Sequence, residues 1–261
     1  MSALRIGCHV DPTNPIDGAL ERGAQAIQIF LGDPQKWTKP SVLSEGGAVA
    51  LREALAQHDI DLYIHAPYVI NVASTNNRIR IPSRKLLQQT VELAAECGAK
   101  GVVVHGGHIT KDDPPDAGFI NWRKAVEQLD ASVPVLIENT AGGSHATARR
   151  LDALGQLWEA VGDSGIGFCL DTCHAHCGGI DLSDAVDRVV AITGRIDLIH
   201  ANNARDDFDT GRDRHDNLTA GTIDAQSIVE VVRAAGAPVI CETPGDAAAQ
   251  RADIEFLRAS A

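Results

Sequence analysis

Basic charge is what this chain has too little of: 23 lysines and arginines stand against 35 aspartates and glutamates, a formal net charge of -12 at pH 7. The deficit excludes a simple basic platform that would hold nucleic acid by surface charge. Nucleic acid itself stays open, because divalent cations bound among carboxylates would be the largest local charges in a site. No run of eighteen apolar residues occurs, so no membrane-spanning helix is expected. The opening MSALRIGCHV lacks a basic segment followed by an apolar core, and a cytoplasmic location is expected. Also missing is the paired CxxC spacing of a structural zinc site. The six cysteines, at positions 8, 97, 169, 173, 177 and 241, are expected to be reduced, since a chain of this size needs no disulfide staples. No Gly/Ser/Pro-rich linker or composition break divides the 261 residues, so residues 1–261 are read as a single domain.

What is present is a period. Eight short aliphatic runs recur along the chain: RIGCHV, AIQIF, LYIHA, GVVVHGG, VPVLIEN, IGFCLDT, IDLIHANN and PVICET. Such runs suit parallel strands buried on both faces. Helical periodicity lies between them, at 83–97, 122–129, 145–161, 182–192 and 225–235, with Gly98, Gly162 and Gly236 placed where left-handed glycines end helices. This alternation predicts the α/β class and a (β/α)8 TIM barrel. Two connections exceed what packing needs, PYVINVASTNNRIRIP at 67–82 and ARDDFDTGRDRHDNLTAG at 204–221. In a barrel both would lie at the C-terminal face, where active sites are built.

Seven of the eight runs end at or beside a residue able to bind metal or substrate: His9, His65, His105, Glu138, Asp171, His200 and Glu242. Only AIQIF, stopping at Phe30, lacks one. Asp171 and His174 are three apart at a strand-to-helix corner, and Asp213 and His215 flank Arg214 in a segment whose alternation would point them the same way. A single histidine at a strand end is more often a hydrogen-bonded structural residue than a ligand. Nine such groups at one face (His65, His105, Glu138, Asp171, His174, His200, Asp213, His215 and Glu242) are too many for independent structural causes. They exceed what one ion takes, and the mixture of imidazole and carboxylate suits zinc, manganese or iron. His9, His108 and His176 are expected to support ligands or packing, and His58 and His145 to lie on the surface. The basic clusters at 78–85 and at Arg205, Arg212 and Arg214 read, each alone, as solvated surface.

The segments HAPYVIN, VVHGG, IENTAGG, CLDTCHAH, DLIHANNARD, GRDRH and CETPG, in this order and with all nine ligand positions filled, resemble endonuclease IV, the metal-dependent apurinic/apyrimidinic endonucleases. The resemblance covers essentially the whole chain, and the Ala-, Arg- and Asp-rich composition looks like that of an actinobacterial member. It implies three divalent ions, zinc above all, with iron or manganese at some positions. One ion would take His65, His105 and bridging Glu138; a second Glu138, Asp171, His200 and Glu242; a third His174, Asp213 and His215. The implied reaction is hydrolysis of the phosphodiester 5′ to an abasic site in duplex DNA, leaving a 3′-hydroxyl, with removal of blocked 3′ ends, by a monomer. Glu138 would be the catalytic residue, orienting or deprotonating the nucleophile. Tyr68 and Val69 match positions at the DNA gap, and the segment with Gln35, Lys36 and Trp37 matches another DNA-facing loop. Gln35 stands where the better-known pattern has an inserting arginine, and Trp37 is balanced between packing and base stacking. The alternative is a sugar isomerase or epimerase on the same barrel with one or two ions, for which His174, Asp213 and His215 would be superfluous.

Overall fold

The computed structural model describes residues 4–143 and 145–260. Eight parallel strands close into a barrel: β1 (Ile6–His9), β2 (Ala26–Phe30), β3 (Asp61–His65), β4 (Gly101–His105), β5 (Val135–Glu138), β6 (Gly167–Asp171), β7 (Leu198–His200) and, after the short pair β8 (Asn203–Ala204) and β9 (His215–Asp216), β10 (Val239–Cys241). Around them run α1 (Pro15–Arg22), α2 (Gly47–Gln57), α3 (Asn77–Glu96), α4 (Ala117–Val126), α5 (Leu151–Val161), α6 (Thr172–Gly178), α7 (Ala185–Thr193), α8 (Ala225–Ala235) and α9 (Ala247–Ser260). Among the described residues no helix is long and apolar enough to cross a membrane. All six cysteines are buried and free.

Two apolar layers follow from the strand period. Residues of one parity, among them Ile27, Leu62, Val102 and Ile199, meet the helices in the main core. Those of the other parity, Ala26, Tyr63, Val103, Leu136, Cys169, Leu198 and Ile240, form a separate plug inside the barrel. Because side chains alternate faces, the residue two positions beyond each plug member also points inward, one pleat higher. Those residues are Gln28, His65, His105, Glu138, Asp171, His200 and Glu242. The apolar plug is therefore the floor on which the polar cluster stands. At its lower edge Gly7 admits the Ala26 carbonyl of β2, which would lie 1.6 Å from any Cβ placed there.

Some boundaries differ from those the sequence suggests. α3 begins at Asn77, with Pro82 inside it, so the first long connection is shorter than it reads. Its start is set by Asn76, whose side chain accepts from the Arg78 N–H, and by Ser83, whose hydroxyl donates to the Ile79 carbonyl. α4 lies at 117–126, earlier than 122–129. α5 begins at Leu151, not at 145. Residues 145–148 are drawn to the loops beyond β4 and β5: Thr147 donates to Gly106 and Gly107, and Ala148 accepts from Thr140. Gly98 and Gly236 do take left-handed φ, but Gly162, at φ -62°, continues into a tight turn that Gly165 ends at φ 82°. The second long connection contains the antiparallel pair β8–β9, which carries the RDRH segment back over the barrel mouth.

Candidate metal centre

All nine candidate ligands converge at the C-terminal mouth. Parallel pairing puts His105 beside Glu138 and Asp171 beside His200 in register. Glu138 is the centre of the arrangement, fully buried at the end of β5. Its Oε2 lies 3.4 Å from Nε2 of both His65 and His105, and its Oε1 lies 3.1 Å from Nδ1 of His200. Glu242 reaches the same His200 nitrogen at 3.3 Å and Asp171 at 4.0 Å. Beyond these, Asp213 Oδ1 sits 3.1 Å from His174 Nε2 and 3.2 Å from His215 Nε2. Three groups result whose donor atoms lie within 4.8 Å of one another: His65–His105–Glu138, Glu138–Asp171–His200–Glu242 and His174–Asp213–His215. A further grouping, Asp171–Cys173–His215, involves a buried thiol that sequence reasoning left aside.

The local chain explains how each side chain is held. Asp171 ends β6 and caps α6, accepting from the His174 N–H at 2.7 Å, so one residue serves as ligand candidate and helix cap. In RDRH the extended alternation sends Asp213 and His215 toward the cluster, while Arg214 and Arg212 turn to grip buried Asp206. Nδ1 of His65 and of His174 donate to the Ala66 and Asn139 carbonyls, at 2.7 and 3.0 Å, and Nδ1 of His215 faces the Glu242 carbonyl at 3.3 Å. This leaves each Nε2 as a lone-pair donor aimed inward.

Sequence reading missed three supporting residues. Asn139 clasps the backbone of Asp171 in both directions, and Asn202 donates to Asp171 Oδ2 at 2.7 Å while accepting from the Glu242 N–H. Gln28 is fully buried in β2 and touches His200 and Glu242. A polar residue at the inward parity of an otherwise apolar run was the available signal. His9 packs behind Glu242 and Gln28, and burial pushes its pKa down to about 4, keeping it neutral. His108 is tied to Asn71, and His176 packs away from the cluster against Phe208. Arg80 and Arg84 are occupied by backbone carbonyls, so much of the 78–85 cluster is structural.

Tyr68 stands over the mouth, half exposed, with its ring 5.3 Å from that of His65 and 5.7 Å from that of His105. On one side is a cleft of about 510 Å³ lined by Trp37, Tyr68, Val69 and His105; on the other, one of about 240 Å³ lined by His9, Phe30, His215 and Glu242. Trp37 is 49% exposed, so the structure gives it a surface role and not a packing one. Gln35 and Lys36 are exposed on the same loop, with the Lys36 ammonium paired to Asp33 at 2.8 Å.

The donor set suits divalent cations by two observations. Its imidazoles and carboxylates are the ligand types of zinc, manganese and iron. Among the described residues, Glu138 Oε2, His174 Nε2 and His215 Nε2 are buried without a hydrogen-bond partner, a cost that coordination would remove. Without cations, mutual ion pairing substitutes. Burial, which disfavours charge on His215, is outweighed by Asp213 and Asp171, and its pKa is pushed up from 6.5 to about 9. Burial of Glu242 is likewise overcome, chiefly by His200, which brings it from 4.5 down to about 2. His215 thus stabilises the metal-free protein fully below pH 6.5 and ceases to as pH rises through about 9, whereas Glu242 does so above pH 4.5 and ceases as pH falls through about 2. The metal-free protein is expected to melt highest between these limits, near pH 4.5–6.5, and a Tm flat from pH 6.5 to 9 in a calorimetric series would refute the coupling.

Comparison with known proteins identifies the family. A model of the xylose isomerase-like TIM barrel family matches residues 16–260. Probable endonuclease 4 of Mycobacterium tuberculosis is 54% identical over 255 residues, 98% of each chain. Endonuclease IV from Thermus thermophilus superposes with a TM-score of 0.83 at 28% identity, covering 98% of both chains. A D-tagatose 3-epimerase-like protein superposes at 0.80 with 18% identity, a likeness of fold alone. With a full-length relative at 54% identity, this chain belongs to the endonuclease IV family of xylose isomerase-like TIM barrels.

Proposed function

We propose that this protein is a metal-dependent apurinic/apyrimidinic endonuclease, cutting the phosphodiester 5′ to an abasic site in duplex DNA to leave a 3′-hydroxyl, and clearing blocked 3′ ends with the same site. The observation that carries the reading is the third ligand group, His174–Asp213–His215, set beside the two that share Glu138. Three divalent ions, zinc with iron or manganese as substitutes, are the proposed cofactors, and a cytoplasmic monomer is the proposed working form. Such ions supply, when bound, activation of water and neutralisation of charge on the attacked and leaving oxygens.

The chain's own residues set the geometry for this chemistry. Glu138 joins two of the groups through its two oxygens and, in this reading, orients the attacking water and accepts its proton. Exposed Asp213 and buried His174 present the third group to the scissile phosphate. The cluster also explains how a chain of net charge -12 can hold a phosphodiester: the carboxylates it buries are balanced locally by cations. An abasic nucleotide has already lost its stacking, so extruding it toward the cluster costs less than extruding a normal one. Tyr68 and Trp37, both about half exposed on the same cleft, offer flat faces to the bases around that gap, with Val69, Gln35 and Lys36 beside them. Tyr68→Ala is expected to lower kcat/KM by about 10- to 100-fold, the equivalent of ~1–3 kcal/mol for one stacked base. An unchanged kcat/KM on an abasic duplex would remove Tyr68 from the interface.

The deciding assay is incision of a duplex oligonucleotide carrying one tetrahydrofuran abasic analogue, before and after prolonged chelation and metal restoration. This analogue cannot break by β-elimination. A 3′-hydroxyl product that vanishes with the metal and returns with it is the expected result. No incision by fully metal-loaded protein would overturn the proposal and favour a sugar isomerase or epimerase.

A further inference from the structure

We infer that Gln28, on β2, a barrel strand without a candidate ligand, is a positioning residue that selects which ring nitrogen of His200 faces the metal centre. His65 and His215 turn Nε2 toward the cluster and Nδ1 toward a main-chain carbonyl, and His174, whose Nδ1 also lies 3.1 Å from Glu138 Oε1, shares that carbonyl anchor, so the backbone fixes which ring nitrogen carries the proton. His200 is the other way round: Nδ1 faces Glu138 and Glu242, at 3.1 and 3.3 Å, and Nε2 points across the barrel toward β2.

At that position Nε2 meets no carbonyl of the main chain; it meets the side-chain oxygen of Gln28 at 2.9 Å. Because the Gln28 oxygen only accepts, Nε2 must carry a proton, and Nδ1 is left free to bind a cation. The amide's orientation is fixed from its other end, where Nε2 of Gln28 donates to Glu242 Oε1 at 2.6 Å. One buried amide therefore aligns two members of a single ligand group, Glu138–Asp171–His200–Glu242, and touches neither of the other groups. Glutamine fits where glutamate would not, since a carboxylate there would set like charges against Glu242.

This assignment rests on the metal-site reading above, and its test separates the two. Full-length wild-type protein and Q28M, which keeps volume and removes the hydrogen bonds to His200, Glu242 and His9, would be loaded with Zn2+ and titrated with a competing chelator. Q28M is expected to release one equivalent 10- to 100-fold more readily than wild type, with the remaining zinc held as before. Nitrogen-15 shifts of the His200 ring in the zinc-loaded proteins give a second readout. Wild type should show Nδ1 bound and Nε2 protonated, and Q28M a mixture. Identical release and ring shifts in wild type and Q28M would overturn the role of Gln28. Failure of wild type to bind zinc would instead remove the metal-site reading itself.

Discussion

Glu138→Gln is expected to slow incision of an abasic duplex on the order of 10³-fold or more, beyond the loss produced by deleting one preorganised donor elsewhere. The substitution is nearly isosteric, so the barrel should fold; what changes is charge and hydrogen-bond polarity at a fully buried position. In the metal-free protein four ring nitrogens surround this carboxylate, on His65, His105, His174 and His200, within 3.1–3.4 Å. Burial works against its charge, yet His200 and His105 hold its pKa well below the ordinary range, so it is ionised at every pH of interest. A neutral amide supplies one acceptor and one donor. The donor end faces lone pairs intended for a cation and repels it. Because Glu138 belongs to two ligand groups, its loss should weaken both, and metal analysis should show depletion alongside the lost rate. Near-wild-type incision with intact metal content would end the catalytic assignment.

Much of this site was legible in the sequence because strand ends in a barrel share one face. His65, His105, Glu138, Asp171, His200 and Glu242 each follow an aliphatic run, and period-two alternation sends them inward above the plug formed by residues such as Tyr63 and Leu136. The placement of Asp213 and His215 was legible for the same reason, extended backbone with Arg214 on the opposite side. What stayed hidden depended on the partner, not on the local pattern. Gln28 reads as an interruption of AIQIF until β2 closes beside β1 and brings it to His200, 172 positions away. Asn139 and Asn202 follow ligands in sequence, and only the folded chain shows that they clasp Asp171. Helix starts failed where tertiary hydrogen bonds override local preference, as at 145–148, and where a proline is accommodated near a helix start, as at Pro82.

The fold leaves one choice to chemistry, since endonuclease IV and the epimerase-like protein superpose on the same barrel. Asp213→Ala addresses it. Asp213 is exposed, and its loop is held independently by Arg212 and Arg214 on Asp206 and by the β8–β9 pairing. Because Asp213 is the carboxylate that pairs with His174 and His215 in the metal-free protein, its loss should lower stability by about 1–3 kcal/mol, less than the barrel's whole stability. His174 and His215 would remain, separated from the carboxylate that now lies about equally close to both. Two imidazoles alone make a poor divalent site, so one metal equivalent should be lost while the two groups sharing Glu138 keep theirs. If the third group faces the leaving oxygen, single-turnover incision at saturating DNA should fall by roughly 10²–10³-fold, as when one transition-state stabiliser is removed, with DNA affinity little altered. Full incision by a variant carrying two equivalents would make the third group dispensable. The feature that sets this site apart from one built for sugars would then lie in the DNA-facing loops and not in the metal centre.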